Sequence, residues 1–205
     1  MPDTPTAGKN RAWQRMLSGR RLDLLDPSPL DVEIEDVAHG LSRVPRWNGQ
    51  TEGPWAFSVA QHSVLVERIA ALATPDLAPQ WRLAALLHDG PEYVIGDLIS
   101  PFKAVVGGDY KTLEARLLAA IHRRAGLPER MPDYAEKAIK RADLTAAGFE
   151  ATQLAGFTEE EAAHYFPRPR FRRKIAIRLT PMPPAEARDA FLDRYIRLRH
   201  ACGYD

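Results

Sequence analysis

Four ionisable side chains occupy places that helical spacing assigns to apolar residues. His62 follows Val59 by one turn and precedes Leu65 and Val66 by another. His88 and Asp89 close the apolar run WRLAALLHD, one turn after Ala84 and Ala85. Asp143 follows Ile139 by one turn and precedes Ala146 and Ala147. A carboxylate or imidazole pushed into a core costs roughly several kcal/mol unless something pairs with it. A bound divalent cation would satisfy all four. Two imidazoles and two carboxylates make a mixed N/O set that suits Zn, Mn, Co or Fe and leaves positions for water. Taken singly, the same residues also read as a satisfied core histidine, a cap or a salt-bridge partner. Spacing leaves both readings open.

The elements that must position these residues are helical. Residues 1–10, with Pro2, Pro5 and Gly8, form a loose lead-in, and a short helix is expected over 11–19. Leu22–Pro29 is extended because two prolines forbid a helix there. Ile34, Val37, Ala38 and Leu41 then share one helical face. A long loop over 43–57 carries Arg43, Arg46, Trp47 and Trp55. Ser58 with Gln61 is a capping-box signature for the next helix, whose stripe is Val59, Val66 and Ile69. A short apolar helix spans 80–89, and longer ones run over about 109–125 and 133–154. Thr158 with Glu161 offers a second capping box. Lys174–Thr180 alternates like a short strand or extended link, and Pro183–Pro184 start a closing helix to about residue 200.

The pattern predicts an all-α fold in one domain over residues 1–205. Its core covers about 30–155, with an N-terminal extension over 1–20 and a C-terminal extension over 156–205. The formal net charge of +1 gives no global field for nucleic acid or an anionic membrane. No apolar run approaches the roughly 20 residues of a membrane helix, and the polar start lacks a signal-peptide core. The lone Cys202 fits a reducing cytoplasm and reads as an incidental thiol. A cytoplasmic protein is expected.

His62, the pair His88–Asp89 and the distant Asp143 resemble the H…HD…D signature of the HD-domain metal-dependent phosphohydrolases. HDGPEYVIGDLISPFK (88–103) resembles the HDASE…GDLPTPxK stretch of the HD-domain 5′-deoxynucleotidases. IEDVAHGLS…RW…SVAQHSVLV (34–66) is similar to the longer bacterial and phage members, which include a phage dATP triphosphohydrolase. The resemblance covers roughly residues 20–150.

It implies a compact HD-domain helical bundle holding one divalent transition metal on His62, His88, Asp89 and Asp143. The implied activity is hydrolysis of a deoxynucleoside 5′-monophosphate by metal-activated water. The alternatives are a deoxynucleoside triphosphate substrate, as in the phage relative, or a non-catalytic HD module that binds nucleotide and regulates. Glu92, three residues after Asp89, matches the family's general acid or base; its plainer reading is a surface glutamate at a turn. Asp97 matches the aspartate that helps fix the sugar, or else caps a turn after Gly96. Arg46 and Trp47 match an Arg–Trp pair before the first metal histidine, suiting phosphate and base, with Arg43 as a rival for the phosphate. Lys103 is a second expected phosphate contact.

His39 reads as a packed structural histidine, and His122, His164 and His200 as surface residues. The basic run Arg168, Arg170, Arg172, Arg173 and Lys174 is a solvated edge or an attractor for a triphosphate tail. The expected partner is a small nucleotide, with neither membrane nor nucleic acid. Relatives are usually homodimers, and the closing helix, with Phe191, Tyr195, Ile196 and Leu198, could serve such an interface or cover the domain's own core.

Overall fold

The computed structural model describes residues 12–98, 108–169, 171 and 175–204. A two-stranded antiparallel hairpin opens it, β1 (Trp13–Arg15) and β2 (Arg21–Asp23), with Gln14 opposite Leu22. This corrects the helix expected over 11–19. A single short helix is costly to nucleate, whereas the hairpin is tied at long range. Ser18 donates through its backbone N–H (2.9 Å) and its hydroxyl (2.5 Å) to the Asp36 carboxylate, and Arg20 pairs with Glu33. Gly19, at φ +90°, makes the turn. Ser28 then caps a single 3-10 turn over Pro29–Asp31, which begins at the last residue of the stretch expected to be extended.

Eight α-helices follow among the described residues, in a mostly helical chain. They are α1 (Ile34–Leu41), α2 (Val59–Ala73), α3 (Pro79–Leu86), α4 (Glu92–Ile95), α5 (Gly108–Arg124), α6 (Asp133–Gln153), α7 (Glu159–Tyr165) and α8 (Pro184–Ala201). Helix α2 is the hub. It packs against α3, α6 and α8 and buries residues on nearly every side, Val59, Val66 and Ile69 among them. A helix surrounded in this way shows only weak amphipathicity. One hydrophobic cluster runs from Met16 to Leu198 and includes Leu41, Leu86, Leu117, Ile121 and Phe191.

Local signals account for the ends. Ser58 accepts from the Gln61 backbone N–H and caps α2, but the Gln61 side chain does not reciprocate as a capping box requires. It reaches across to Thr180 and Met182 instead. The box at Thr158 and Glu161 is complete. Residues 175–180 form no strand; their backbone is held by side-chain amides. Gln153 donates to the Ile177 carbonyl and accepts from Leu179, while Gln61 donates to Thr180 and accepts from Met182. Helix α8 turns Phe191, Tyr195 and Leu198 inward against α1, α2 and α3, leaving Ile196 exposed. Among the described residues no helix is long and apolar enough to cross a membrane.

Candidate metal centre

His62 sits in the first turn of α2, fully buried. His88 and Asp89 lie on the turn that leaves α3, where Gly90 is required. A Cβ on Gly90 would come within 2.9 Å of the Leu87 carbonyl and 3.0 Å of Ile121. Asp143 projects from the middle of α6. The structure brings all four together. Ligand atoms of His62, His88 and Asp143 lie within 4.8 Å of one another. The Asp89 carboxylate is 3.4 Å from His62 Nε2 and 3.2 Å from His88 Nε2, and Asp143 Oδ1 is 3.3 Å from His62 Nε2.

The proton positions follow from the partners. His88 Nδ1 faces the Ala85 carbonyl at 2.9 Å, and His62 Nδ1 faces a Glu150 carboxylate oxygen at 2.5 Å. Neither partner can donate in these pairings, so both Nδ1 atoms donate and both Nε2 atoms face the carboxylates, free to ligate once an ion displaces any proton there. Both Nε2 atoms are buried without a well-formed hydrogen bond. Orphaned imidazole nitrogens facing two carboxylates are the donor set a divalent transition ion takes. The residues fit the ion.

Electrostatics agree. Burial and the Arg46 guanidinium disfavour a charged His62, yet Glu150, Asp143 and Asp89 outweigh them and raise its pKa well above the usual value. Burial opposes ionisation of Asp89 and Asp143, but the two histidines hold both carboxyls low. The cluster attracts positive charge. The second oxygen of Asp143 accepts from the exposed Lys140 ammonium at 2.9 Å.

A second group of residues surrounds the first. Glu150, two turns after Asp143 on α6 and fully buried, gives one oxygen to His62. Its other oxygen accepts from the Trp47 indole N–H at 2.9 Å and Arg46 Nε at 3.3 Å. Arg46 Nη1 donates to Asp97 at 2.8 Å. Burial works against the Arg46 charge, but Glu150, Asp97, Asp89 and Glu92 raise its pKa above the ordinary arginine value. Arg46 and Trp47 belong to a 3-10 turn, Arg46–Gly49, in which Trp47 (φ +56°) and Asn48 (φ +51°) are left-handed. Glu150 escaped the sequence reading, although its place seven residues after Asp143 puts both on one helical face.

Glu92 opens α4 and is 1% exposed, so it is no surface glutamate. Its backbone N–H donates to the Asp89 carbonyl, binding it to the ligand turn. The Trp47 ring lies 5.7 Å from Phe157 and 6.3 Å from Phe166, packed as a wall with its N–H already engaged. Arg43 is exposed and donates to the His39 carbonyl and Ser42 hydroxyl, neither of them in the cluster. Lys103 lies outside the described residues, as do Arg170, Arg172, Arg173 and Lys174. His39 is half-buried, while His164 and His200 are exposed as expected. His122 corrects the expectation: it is 1% exposed, not on the surface.

No family model matches the chain. It is 57% identical over 196 residues to an uncharacterized protein of Rhodobacter capsulatus, covering 94% of this chain and 99% of that one. It is also 34% identical over 125 residues to the uncharacterized protein YfdR of Escherichia coli, covering 60% and 62% of the two chains.

Proposed function

The chain belongs to the same family as the Rhodobacter capsulatus protein, and we propose that it is a metal-dependent phosphohydrolase of the HD-domain type, acting on a deoxynucleoside 5′-monophosphate. The observation that carries this reading is the meeting of two orphaned imidazole nitrogens and two carboxylates beside a buried glutamate and a half-buried arginine. A divalent ion on His62, His88, Asp89 and Asp143 would supply a Lewis acid for a phosphoryl oxygen and water acidified toward neutral pH. Zn, Co, Mn and Fe all suit the donors, and availability would select among them.

The chain's own groups do the rest. Arg46 has five N–H donors, of which Nε and one on Nη1 are spent on Glu150 and Asp97. It is therefore a braced fork whose remaining donors can bind phosphoryl oxygens without reorganising. Glu92 holds or delivers the proton that the departing 5′-oxygen needs when the P–O bond breaks, a contribution worth about 10²–10⁴-fold. Asp97 uses Oδ2 on Arg46, which leaves Oδ1 to accept from a sugar hydroxyl.

A monophosphate is favoured over a triphosphate by charge. Among the described residues, Asp89, Glu92, Asp97, Asp143 and Glu150 face Arg46 and Lys140. Even with a divalent ion bound, this surface remains negative and suits a short phosphate group. The lone Cys202, half-buried with its thiol pKa raised by burial, fits residence in a reducing cytoplasm.

Phosphate release from deoxynucleoside mono-, di- and triphosphates, each with Co, Mn and Zn, tests the reading. Turnover of monophosphates supports it, and turnover of triphosphates alone moves it to the dATP-type alternative. Tight nucleotide binding with no turnover on any substrate replaces it with the regulatory module.

A further inference from the structure

We propose that Glu150 is a positioning residue that fixes the proton of His62 with one oxygen and the pose of Arg46 with the other, joining the metal and phosphate halves of the site through one carboxylate. The inference rests on the hydrolase reading above.

Glu150 receives three donors that arrive from two sides. His62 Nδ1 meets Oε1, while the Trp47 indole and Arg46 Nε meet Oε2. The two sides belong to α2 and to the 3-10 turn, and the α6 carboxylate joins their side chains. The bond to Oε1 keeps the proton on Nδ1, leaving Nε2 for an ion. The bonds to Oε2 fasten a turn whose Trp47 and Asn48 are left-handed, a conformation that persists only where the surroundings impose it.

This division makes glutamine an informative replacement. A carboxylate offers acceptors on both ends, whereas an amide offers one acceptor and one donor of nearly the same shape. With the amide oxygen toward Trp47 and Arg46, its NH₂ faces His62 Nδ1 and drives the ring proton to Nε2, the atom that must ligate. With the amide turned over, its NH₂ meets the indole N–H and the guanidinium. One half of the site must give way.

The test is a titration of the full-length, metal-free protein with Co²⁺, followed by the visible d–d absorption. Glu150→Gln, with an unchanged circular dichroism spectrum at the titration temperature, is expected to weaken Co²⁺ binding by about 10–100-fold. Trp47→Phe removes a donor from the Oε2 side only and should leave Co²⁺ affinity within about threefold, since it spares the His62 bond. Wild-type affinity in Glu150→Gln overturns the inference, as does an equal loss in Trp47→Phe. If Glu150→Gln does not fold, the nitrogen-15 spectrum of His62 in the Zn²⁺-loaded wild-type protein decides. A proton on Nδ1 supports the inference and a proton on Nε2 overturns it. A wild-type chain that binds no Co²⁺ sinks the hydrolase reading itself, a result distinct from either.

Discussion

Tyr93 lies so close to Gly40 that a methyl group on the glycine would sit 2.7 Å from its Cβ and 2.8 Å from its carbonyl oxygen. The missing side chain lets α4 rest directly on α1, and α4 begins with Glu92. Replacing a helical glycine by alanine ordinarily gains up to about 1 kcal/mol. Here the obstacle is backbone and a Cβ, neither of which can swing aside. Gly40→Ala is therefore expected to cost about 1–3 kcal/mol, lowering Tm by roughly 2–4 °C for each kcal/mol. Gly108→Ala, with no described residue within 4 Å of its added carbon, is the control and should be neutral or stabilising. A raised Tm for Gly40→Ala would contradict this packing.

Glu92→Ala should reduce turnover by about 10²–10⁴-fold while metal content stays at the wild-type level. Elemental analysis of the purified variant beside a phosphate-release assay separates a lost proton carrier from a lost ion. Activity that survives the change removes Glu92 from the chemistry.

Arg46→Ala strips the counter-charge from Asp97 and from one oxygen of Glu150, both shielded from solvent. Breaking a buried pair from one side costs about 3–5 kcal/mol; the slight exposure of Arg46 places the expected loss at the low end. Arg46→Lys should recover part of the stability but little of the substrate affinity, because one ammonium cannot bridge two carboxylates and a phosphate. Urea unfolding reads the first effect and KM the second. A KM for Arg46→Lys equal to that of the wild-type protein would remove the fork from substrate recognition.

His122 predicts an acid sensitivity outside the metal centre. Burial holds its pKa below the ordinary histidine value, against a smaller pull from the Pro128 carbonyl. The folded pKa thus lies below that of the unfolded chain, about 6.5. Its contribution to stability is whole above that pH and is lost as pH falls below it, by no more than about 1.4 kcal/mol per pH unit. His122→Leu should flatten this part of the curve in urea unfolding between pH 7 and 5. Curves of equal slope for the two proteins would exclude it.

Metal removal should lower the melting temperature. An ion that binds only the folded chain stabilises it by about 2.7 kcal/mol at a hundredfold excess over Kd. Melting after chelation and again after Co²⁺ or Zn²⁺ is restored checks both direction and reversibility. A Tm indifferent to chelation and to both ions argues against a resident metal.

Helical spacing finds α1, α2, α3, α5, α6 and α8 because each repeats apolar residues over successive turns, and it marks His62, His88, Asp89 and Asp143 as misplaced on the stripes of α2, α3 and α6. These four do meet in space. What spacing misses is set by distant parts of the chain. The Trp13–Asp23 hairpin has strands of three residues, too short to display alternation, and its anchor is Asp36. Gln61 has a capping residue's place but answers Thr180, 119 residues later. Glu150 is one of four acidic residues on its helix, and beyond its place on the Asp143 face nothing local marks it; the arrival of His62, Arg46 and Trp47 does. His122 is followed by Arg123 and Arg124, which suggest solvent, yet the ring is enclosed.

The two glutamines that hold residues 177–182 work as rungs without a neighbouring strand, and this limits what evolution can place there. Each rung must give a proton to one peptide group and take one from another two residues along. Among unbranched side chains of this length at neutral pH, only a carboxamide does both from a single end. A glutamate at position 61 or 153 would repel one carbonyl, and a lysine would turn away one N–H. Because Gln61 directly precedes His62, a C-terminal segment that supplies none of the four clustered side chains is still joined to the backbone that aims the first of them. Deletions or fusions at that end should therefore be felt at the cluster.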